Sequence, residues 1–156
     1  MDRPYYIVLA DKHAGFRREV RKILDEIPDV KVTGEAGNRG ELFELLQQSP
    51  PKLVILDISL PGLRAREGTQ LITSHYPATK VLLMVLGPES EYLLHGLAAG
   101  AAGVLPKQYV GGQIVGAVTA LRQGRSYVPP QAPGNNSPRL AAPTAMGPGR
   151  KGGKIS

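Results

Sequence analysis

The stretch KLVILDISLPG, residues 52–62, decides how the rest of the chain is interpreted. Its four consecutive apolar residues, 53–56, lie between Pro50-Pro51 and Pro61-Gly62. A short apolar run between such breaks predicts a strand buried on both faces, as in a parallel sheet. Asp57 then ends the strand, at the edge where open α/β sheets bind their ligands. For a lone Asp a helix cap or loop position is the simpler interpretation, and only the rest of the chain raises Asp57 above it.

Length and composition indicate one packed domain with a remainder. The chain has 156 residues, is 42% hydrophobic and contains no cysteine, which argues against a disulfide framework or a thiolate metal site. Neither a leader pattern nor an apolar run of membrane-spanning length is present, so we expect a cytoplasmic protein without a membrane partner. The formal charge is +6, but residues 131–156 hold four basic and no acidic residues, which leaves residues 1–130 close to neutral.

Apolar runs and amphipathic segments alternate along residues 1–130. Continuous or alternating apolar residues predict strands at 5–10, 30–36, 53–56, 81–86 and 103–105. Helical spacing predicts helices at 16–27, after the capping residue Asn38, around Leu71 and Ile72, at 89–99 and at 112–122. The last helix is expected to bury Ile114, Val115, Val118 and Leu121. This order predicts a doubly wound five-stranded parallel sheet with helices on both faces.

The composition changes abruptly near Pro129. Beyond it, proline and glycine recur without any apolar periodicity. We therefore divide the chain into a domain at 1–130 and a disordered, Pro/Gly-rich basic tail at 131–156.

Charged residues follow several of the predicted strands. Asp11 and Lys12 end the first strand, Asp57 the third, Val85 lies at the end of the fourth, and Lys107 follows the fifth. Strand ends of a doubly wound sheet converge, so two carboxylates and two ammonium groups are expected in one cleft.

These stretches resemble the receiver domain of bacterial response regulators, a CheY-like flavodoxin fold, and most resemble the NarL/FixJ subfamily that is usually joined to a LuxR-type helix-turn-helix. The matching stretches are 9–17, 32–36, 56–62, 97–107 and 124–128. The resemblance implies a role in two-component phosphorelay signalling rather than an enzyme. It also implies a histidine kinase or other signalling protein as partner, with a homodimer as a further candidate.

The resemblance assigns roles to individual residues. Asp57 matches the phosphoacceptor and Lys107 the lysine that contacts the phosphoryl group. Asp11 matches the first of two acidic residues after strand one, and Ser59 the position whose backbone carbonyl helps to hold Mg²⁺. The implied metal set is therefore Asp11, Asp57 and Ser59, and the chemistry is that of an aspartyl phosphate.

Three positions depart from the family pattern. Lys12 replaces the second acidic residue, Val85 replaces a Thr or Ser hydroxyl, and Val104 replaces the Tyr or Phe that usually reorients on activation. The loop at 63–68 also looks longer than usual. We therefore expect a degenerate phosphorylation pocket with an altered switch.

Lys12 has the largest expected effect. Together with Lys107 it balances the charges of Asp11 and Asp57 without a metal. An ammonium group has no lone pair with which to ligate Mg²⁺, and its positive charge repels the ion. We expect its ammonium to lie within reach of Asp11 or Asp57, which leaves Mg²⁺ binding weak or lost. The alternative is that Lys12 points into solvent and changes little.

Three functions remain open from the sequence. The chain is a phosphorylated signalling module, a phosphorylation-independent pseudo-receiver used for interaction or dimerisation, or an unrelated small α/β enzyme with Asp57 as nucleophile. The enzyme is least supported, because no general base or substrate pocket accompanies Asp57. The histidines His13, His75 and His95 are not at ligand spacing and are interpreted as solvated. No helix-turn-helix pattern follows Val128, so sequence-specific DNA binding is not expected.

Overall fold

The computed structural model describes residues 4–86, 97 and 99–130. The strands are β1 Tyr5–Ala10, β2 Val30–Ala36, β3 Leu53–Asp57, β4 Lys80–Val85 and β5 Gly103–Pro106. The α-helices in these residues are α1 Ala14–Leu24, α2 Arg39–Gln48, α3 Ala65–His75 and α4 Val110–Arg122, and a 3₁₀ turn, Lys107–Tyr109, precedes α4. The predicted tail at 131–156, and most of the helix predicted at 89–99, fall outside the described residues.

The five strands form one parallel sheet in the order β2-β1-β3-β4-β5. This confirms the predicted sheet, with β3 at its centre. All five residues of β3 are buried, because it has a strand on each side and helices over both faces. Leu56 is fully buried, so Leu56→Ala is expected to cost about 2–5 kcal/mol.

The side chains of β3 alternate between the two faces of the sheet. Val54 and Leu56 pack on the face that α2 and α3 cover, whereas Leu53 and Ile55 pack on the face that α1 and α4 cover. The helical residues in these clusters include Leu42, Leu46 and Ile72 on the first face and Val20, Leu24, Ile114 and Val118 on the second. The two layers fix the strand ends relative to one another.

Three local expectations are corrected. Helix α1 ends at Leu24, three residues before the predicted end at residue 27, and is followed by a turn. The loop predicted at 63–68 is helical from Ala65, where Gly68 packs so closely on Leu63 that a Cβ would lie 2.6 Å from a leucine methyl. In α4 the buried stripe passes through Ala117, and Val115 falls one position outside it, where it is 45% exposed.

The segment around Tyr127 lies along the outer edge of β5. The Tyr127 N–H donates to the Ala102 carbonyl at 3.0 Å, and the Val104 N–H donates to the Tyr127 carbonyl at 3.1 Å. Gly103 permits this approach, since a Cβ there would lie 3.0 Å from the Tyr127 Cβ. The Tyr127 hydroxyl donates to Gln113 Oε1 at 2.7 Å, and burial raises the pKa of Tyr127 to about 12.

Within the described residues, none of the helices combines the length and the apolar character that crossing a bilayer requires.

Candidate functional site

Three of the predicted site residues meet at the carboxyl edge of the sheet. Asp57 is the last residue of β3, Asp11 follows β1, and Lys107 follows β5. Strands β1 and β3 are neighbours, with Ala10 beside Leu56, which places Asp11 close to Asp57. Both carboxylates are almost completely buried, with Asp11 4% and Asp57 1% exposed. The expected convergence of these groups is confirmed.

The cation in this cleft is the ammonium of Lys107. Its Nζ lies 2.6 Å from Asp11 Oδ2 and 3.6 Å from Asp57 Oδ2. It also lies 4.4 Å from the centre of the Phe16 ring, close enough for a cation–π interaction. Opposite charges about 4 Å apart attract by roughly 4 kcal/mol at an effective dielectric of 20, before desolvation is subtracted. Lys107 is therefore held on three sides, one of them aromatic.

The two carboxylate oxygens of Asp57 differ in their hydrogen bonding. Its Oδ2 accepts a hydrogen bond from the Ser59 hydroxyl at 2.9 Å. Its Oδ1 is buried and has no hydrogen-bond partner among the described residues. A buried acceptor without a partner is costly, so Oδ1 is ready to take a cation or to act as a nucleophile. Ser59 thus reaches the site through its hydroxyl, a contact that the sequence did not indicate.

The expectation for Lys12 is wrong. Its side chain is exposed, and no carboxylate of the described residues lies at ion-pair distance from it. Asp11 points into the cleft towards Lys107, whereas Lys12 stays in water and so avoids the desolvation that burial of its ammonium would require. The cleft formed by Asp11, Asp57 and Lys107 therefore carries a formal charge of −1, where the sequence had indicated zero.

His13 was interpreted as solvated, but it contacts the acidic cleft. Its N–H donates to Asp11 Oδ1 at 2.8 Å, and its ring Nδ1 lies 3.1 Å from the same oxygen. Asp11, His13 and Asp57 each offer one ligand atom, and these atoms all lie within 4.8 Å of one another. The spacing of histidines along the chain could not reveal this cluster, because Asp57 is brought to it by the fold. Phe16 was missed for the same reason.

A second charged network holds the turn after β1. The Arg17 guanidinium donates to the Asp11 backbone carbonyl and to Glu35 Oε1, the latter at 2.9 Å. Arg21 donates to Glu35 Oε2 at 2.6 Å. Burial acts to raise the pKa of the Glu35 carboxyl, but the hydrogen bonds from Arg17 and Arg21 outweigh it and hold the pKa below its ordinary value. This network fixes the backbone that presents Asp11.

Val85 and Val104 lie in apolar surroundings. Their exposed fractions are 1% and 0%, and both belong to the cluster that packs beneath α2 and α3. Neither side chain has a hydrogen-bonding group. The two family positions that usually carry a hydroxyl and an aromatic ring are therefore filled by aliphatic groups.

The residues fit the Mg²⁺ ion that the resemblance implies, although with one acidic ligand fewer. Asp11 and Asp57 supply two carboxylates, and the orphaned Asp57 Oδ1 is an acceptor of the kind Mg²⁺ prefers. The position of the second acidic ligand is Lys12, whose side chain points away. We therefore regard Asp11 and Asp57 as the residues that would hold the ion.

Comparison with known proteins supports the resemblance. The sequence profile of the response regulator receiver domain matches residues 7–119. The chain is 30% identical over 129 residues to the transcriptional regulatory protein DegU of Brevibacillus brevis, covering 83% of this chain and 55% of DegU. It is 34% identical over 123 residues to the oxygen regulatory protein NreC of Staphylococcus epidermidis, covering 78% and 56%. The chain thus spans about half the length of these curated relatives.

Solved structures give the same result. A LuxR-family two-component response regulator from Aurantimonas sp. SI85-9A1 superposes with a TM-score of 0.74 at 29% identity, covering 80% of this chain and 89% of that one. The signal receiver domain of NarL from Mycobacterium tuberculosis superposes with a TM-score of 0.73 at 31% identity, covering 80% and 100%. The profile match begins within β1, ends within α4 and includes all of β2, β3, β4 and β5. This chain therefore belongs to the response regulator receiver domains, close to the NarL, DegU and LuxR-type regulators, and is the receiver domain of a two-component response regulator.

Proposed function

We propose that this receiver is atypical, in that Asp57 is phosphorylated slowly and with little dependence on Mg²⁺. The observation that carries the proposal is the acidic cleft itself. Its cation is Lys107, and the position that would supply the second acidic ligand holds an exposed lysine. With two carboxylates, the cleft offers one acidic ligand fewer to Mg²⁺, an ion that is strongly hydrated and requires octahedral coordination.

The residues that remain can still perform the transfer. Asp57 Oδ1 is the free oxygen and acts as nucleophile, while the Ser59 hydroxyl fixes the other oxygen. The new O–P bond forms as the bond between phosphorus and its donor breaks, and the donor leaves with the electron pair of that bond. Lys107 neutralises part of the charge on the phosphoryl oxygens. A bound Mg²⁺ would add further neutralisation of the same kind.

A second candidate function is a pseudo-receiver that works without phosphorylation. Val85 and Val104 favour it, because both are buried and aliphatic: Val85 has no hydroxyl to hydrogen-bond a phosphoryl group on Asp57, and Val104 has no aromatic ring to reorient in response. In this alternative a surface of the domain, including that formed by β5 and α4, would bind a partner or a second copy constitutively.

We infer the remaining attributes from the family. The partner of a phosphorylated form is a histidine kinase or another signalling protein in the cytoplasm, and a homodimer is a further form. The receiver itself is proposed to be a substrate of phosphorylation and not an enzyme with a separate substrate. Sequence-specific DNA binding is not proposed for residues 1–130.

The two functions are separated by labelling with a small acyl phosphate donor, followed by intact-protein mass spectrometry. Slow modification that is nearly the same with and without Mg²⁺, and absent in Asp57→Asn, supports the atypical receiver. No modification under either condition supports the pseudo-receiver. Rapid modification that depends strongly on Mg²⁺ contradicts both and indicates an ordinary receiver.

A further inference from the structure

We propose that Asp11, His13 and Asp57 form a binding site for a divalent transition cation of the Zn²⁺ type, with the His13 imidazole as a ligand. This site differs from the all-oxygen site that Mg²⁺ uses, because a ring nitrogen takes the place of the missing second carboxylate. The proposal concerns cation binding and does not depend on whether Asp57 is phosphorylated.

The fold brings the three ligands together from two strands. Asp11 directly follows β1, Asp57 ends the neighbouring strand β3, and His13 precedes the first residue of α1. The backbone N–H of His13 donates to Asp11 Oδ1 at 2.8 Å, so the turn that carries the imidazole is fastened to one of the carboxylates. One ligand atom from each residue lies within 4.8 Å of the others.

The burial and hydrogen bonding of Asp57 independently favour a cation at this site. Asp57 is 1% exposed, and its Oδ1 has no hydrogen-bond partner among the described residues. Lys107 lies nearest to the other oxygen of Asp57, at 3.6 Å, and is drawn more closely to Asp11. An ion bound between Oδ1 and Asp11 would therefore satisfy an acceptor that residues 4–86, 97 and 99–130 leave without a partner.

The ligand chemistry favours a transition cation over Mg²⁺. Mg²⁺ selects oxygen ligands in near-ideal octahedral geometry, whereas Zn²⁺ accepts imidazole nitrogen and carboxylate oxygen together in a tetrahedral site. Ligand atoms about 2.0–2.2 Å from a tetrahedral Zn²⁺ lie roughly 3.4 Å from one another. His13 Nδ1 and Asp11 Oδ1 are already 3.1 Å apart, so only the longer separations, of up to 4.8 Å, must shorten, by up to about 1.4 Å. The His13 side chain, which is 58% exposed, has room to make this movement.

The charges permit such an ion. The cleft carries two carboxylates and the Lys107 ammonium, so one divalent cation changes its formal charge from −1 to +1. Lys12 is exposed and stays outside the cleft, where water screens its charge. Repulsion from Lys107 lowers the affinity but does not block the open oxygen of Asp57, since the ammonium lies on the side of Oδ2.

The test is a titration of the tag-free protein with ZnCl₂ and, separately, with MgCl₂, by calorimetry and by NMR of the imidazole nitrogens. We expect one Zn²⁺ per chain and a shift of the His13 signals. His13→Ala should weaken Zn²⁺ binding at least tenfold, while Mg²⁺ binding changes less than twofold. An unchanged urea-unfolding midpoint shows that the variant is folded.

The matched control is the double variant His75→Ala/His95→Ala, which removes the chain's other two histidines. It should bind Zn²⁺ as the unmodified protein does. Loss of binding in this control, unchanged Zn²⁺ affinity in His13→Ala, or no detectable Zn²⁺ binding to the unmodified protein would overturn the proposal. Asp57→Asn should weaken both cations, because it removes the carboxylate that the two sites share.

Discussion

The ammonium of Lys107 lies 2.6 Å from Asp11 Oδ2, a full ångström closer than to the carboxylate of Asp57. Both partners of this ion pair are largely shielded from water, with side-chain exposures of 16% and 5%. Lys107, which matches the phosphoryl-contacting lysine, is thus paired mainly with the Asp11 carboxylate and less closely with Asp57. The other oxygen of Asp57, Oδ1, has no hydrogen-bond partner among the described residues.

Removal of the Asp11 charge should destabilise the fold and bring Lys107 closer to Asp57. We expect Asp11→Asn to lower the free energy of unfolding by about 1–3 kcal/mol, because a shielded ammonium loses its nearest counter-charge. Urea unfolding at neutral pH measures the change, with Glu44→Gln on the exposed side of α2 as the matched charge control. Equal stabilities of the two variants would show that the pair contributes nothing.

Phe16 should stabilise Lys107 through its ring. Phe16→Leu keeps most of the apolar volume but removes the cation–π contact at 4.4 Å, so we expect a loss of about 0.5–2 kcal/mol. A double-mutant cycle with Lys107→Met isolates the interaction, since the effect of Phe16→Leu should shrink when the ammonium is absent. An identical effect in both backgrounds would assign Phe16 to core packing alone.

Acid should weaken the Arg17–Glu35–Arg21 network. The pKa of Glu35 is lowered in the folded state, so its contribution is present above the ordinary value of 4.5 and is lost as the pH falls through the folded pKa. We expect Glu35→Gln to be less stable by about 1 kcal/mol near neutral pH, and the difference to vanish in strong acid. A difference that stays constant across the acid range would contradict this account.

Raising the pH into the alkaline range should destabilise the fold through ionisation of Tyr127. Its folded pKa of about 12 lies above the ordinary 10.0, so the phenol stabilises the fold below pH 10, and this contribution is lost as the pH rises through the folded pKa. Tyr127→Phe should remove this step from the stability profile, at the cost of the hydrogen bond to Gln113, about 1 kcal/mol. Ionisation at the ordinary value, followed by phenolate absorbance, would show that burial does not hold the hydroxyl protonated.

The strands could be predicted closely because their signal is local. The apolar runs gave β1 and β2 with their observed bounds, and the bracketed run at 53–56 gave the central strand. The predicted burial of Val115 in α4 is wrong, because one step along a helix turns a side chain by about 100° and places Val115 outside the buried stripe.

The candidate site was predictable only in part. Asp11, Asp57 and Lys107 stand at strand ends, and the convergence of strand ends follows from the topology. The topology does not determine the direction of an individual side chain. The sequence therefore predicts Lys12 in the cleft, whereas its side chain is exposed to water. His13 and Phe16 join the site through contacts with residues that are distant in sequence or on other elements, and a chain-order pattern contains no signal for such contacts.

We propose that the cleft binds Mg²⁺ only weakly, because position 12 supplies no ligand. Lys12→Asp should restore that ligand, as a third carboxylate beside Asp11 and Asp57. The most direct measurement is calorimetric Mg²⁺ titration of the unmodified protein and of this variant under the same salt conditions, with Lys22→Asp on the exposed side of α1 as the matched charge control. We predict at least tenfold tighter Mg²⁺ binding in Lys12→Asp, with Lys22→Asp close to the unmodified protein. Equal Mg²⁺ affinity in the unmodified protein and in Lys12→Asp would contradict the claim.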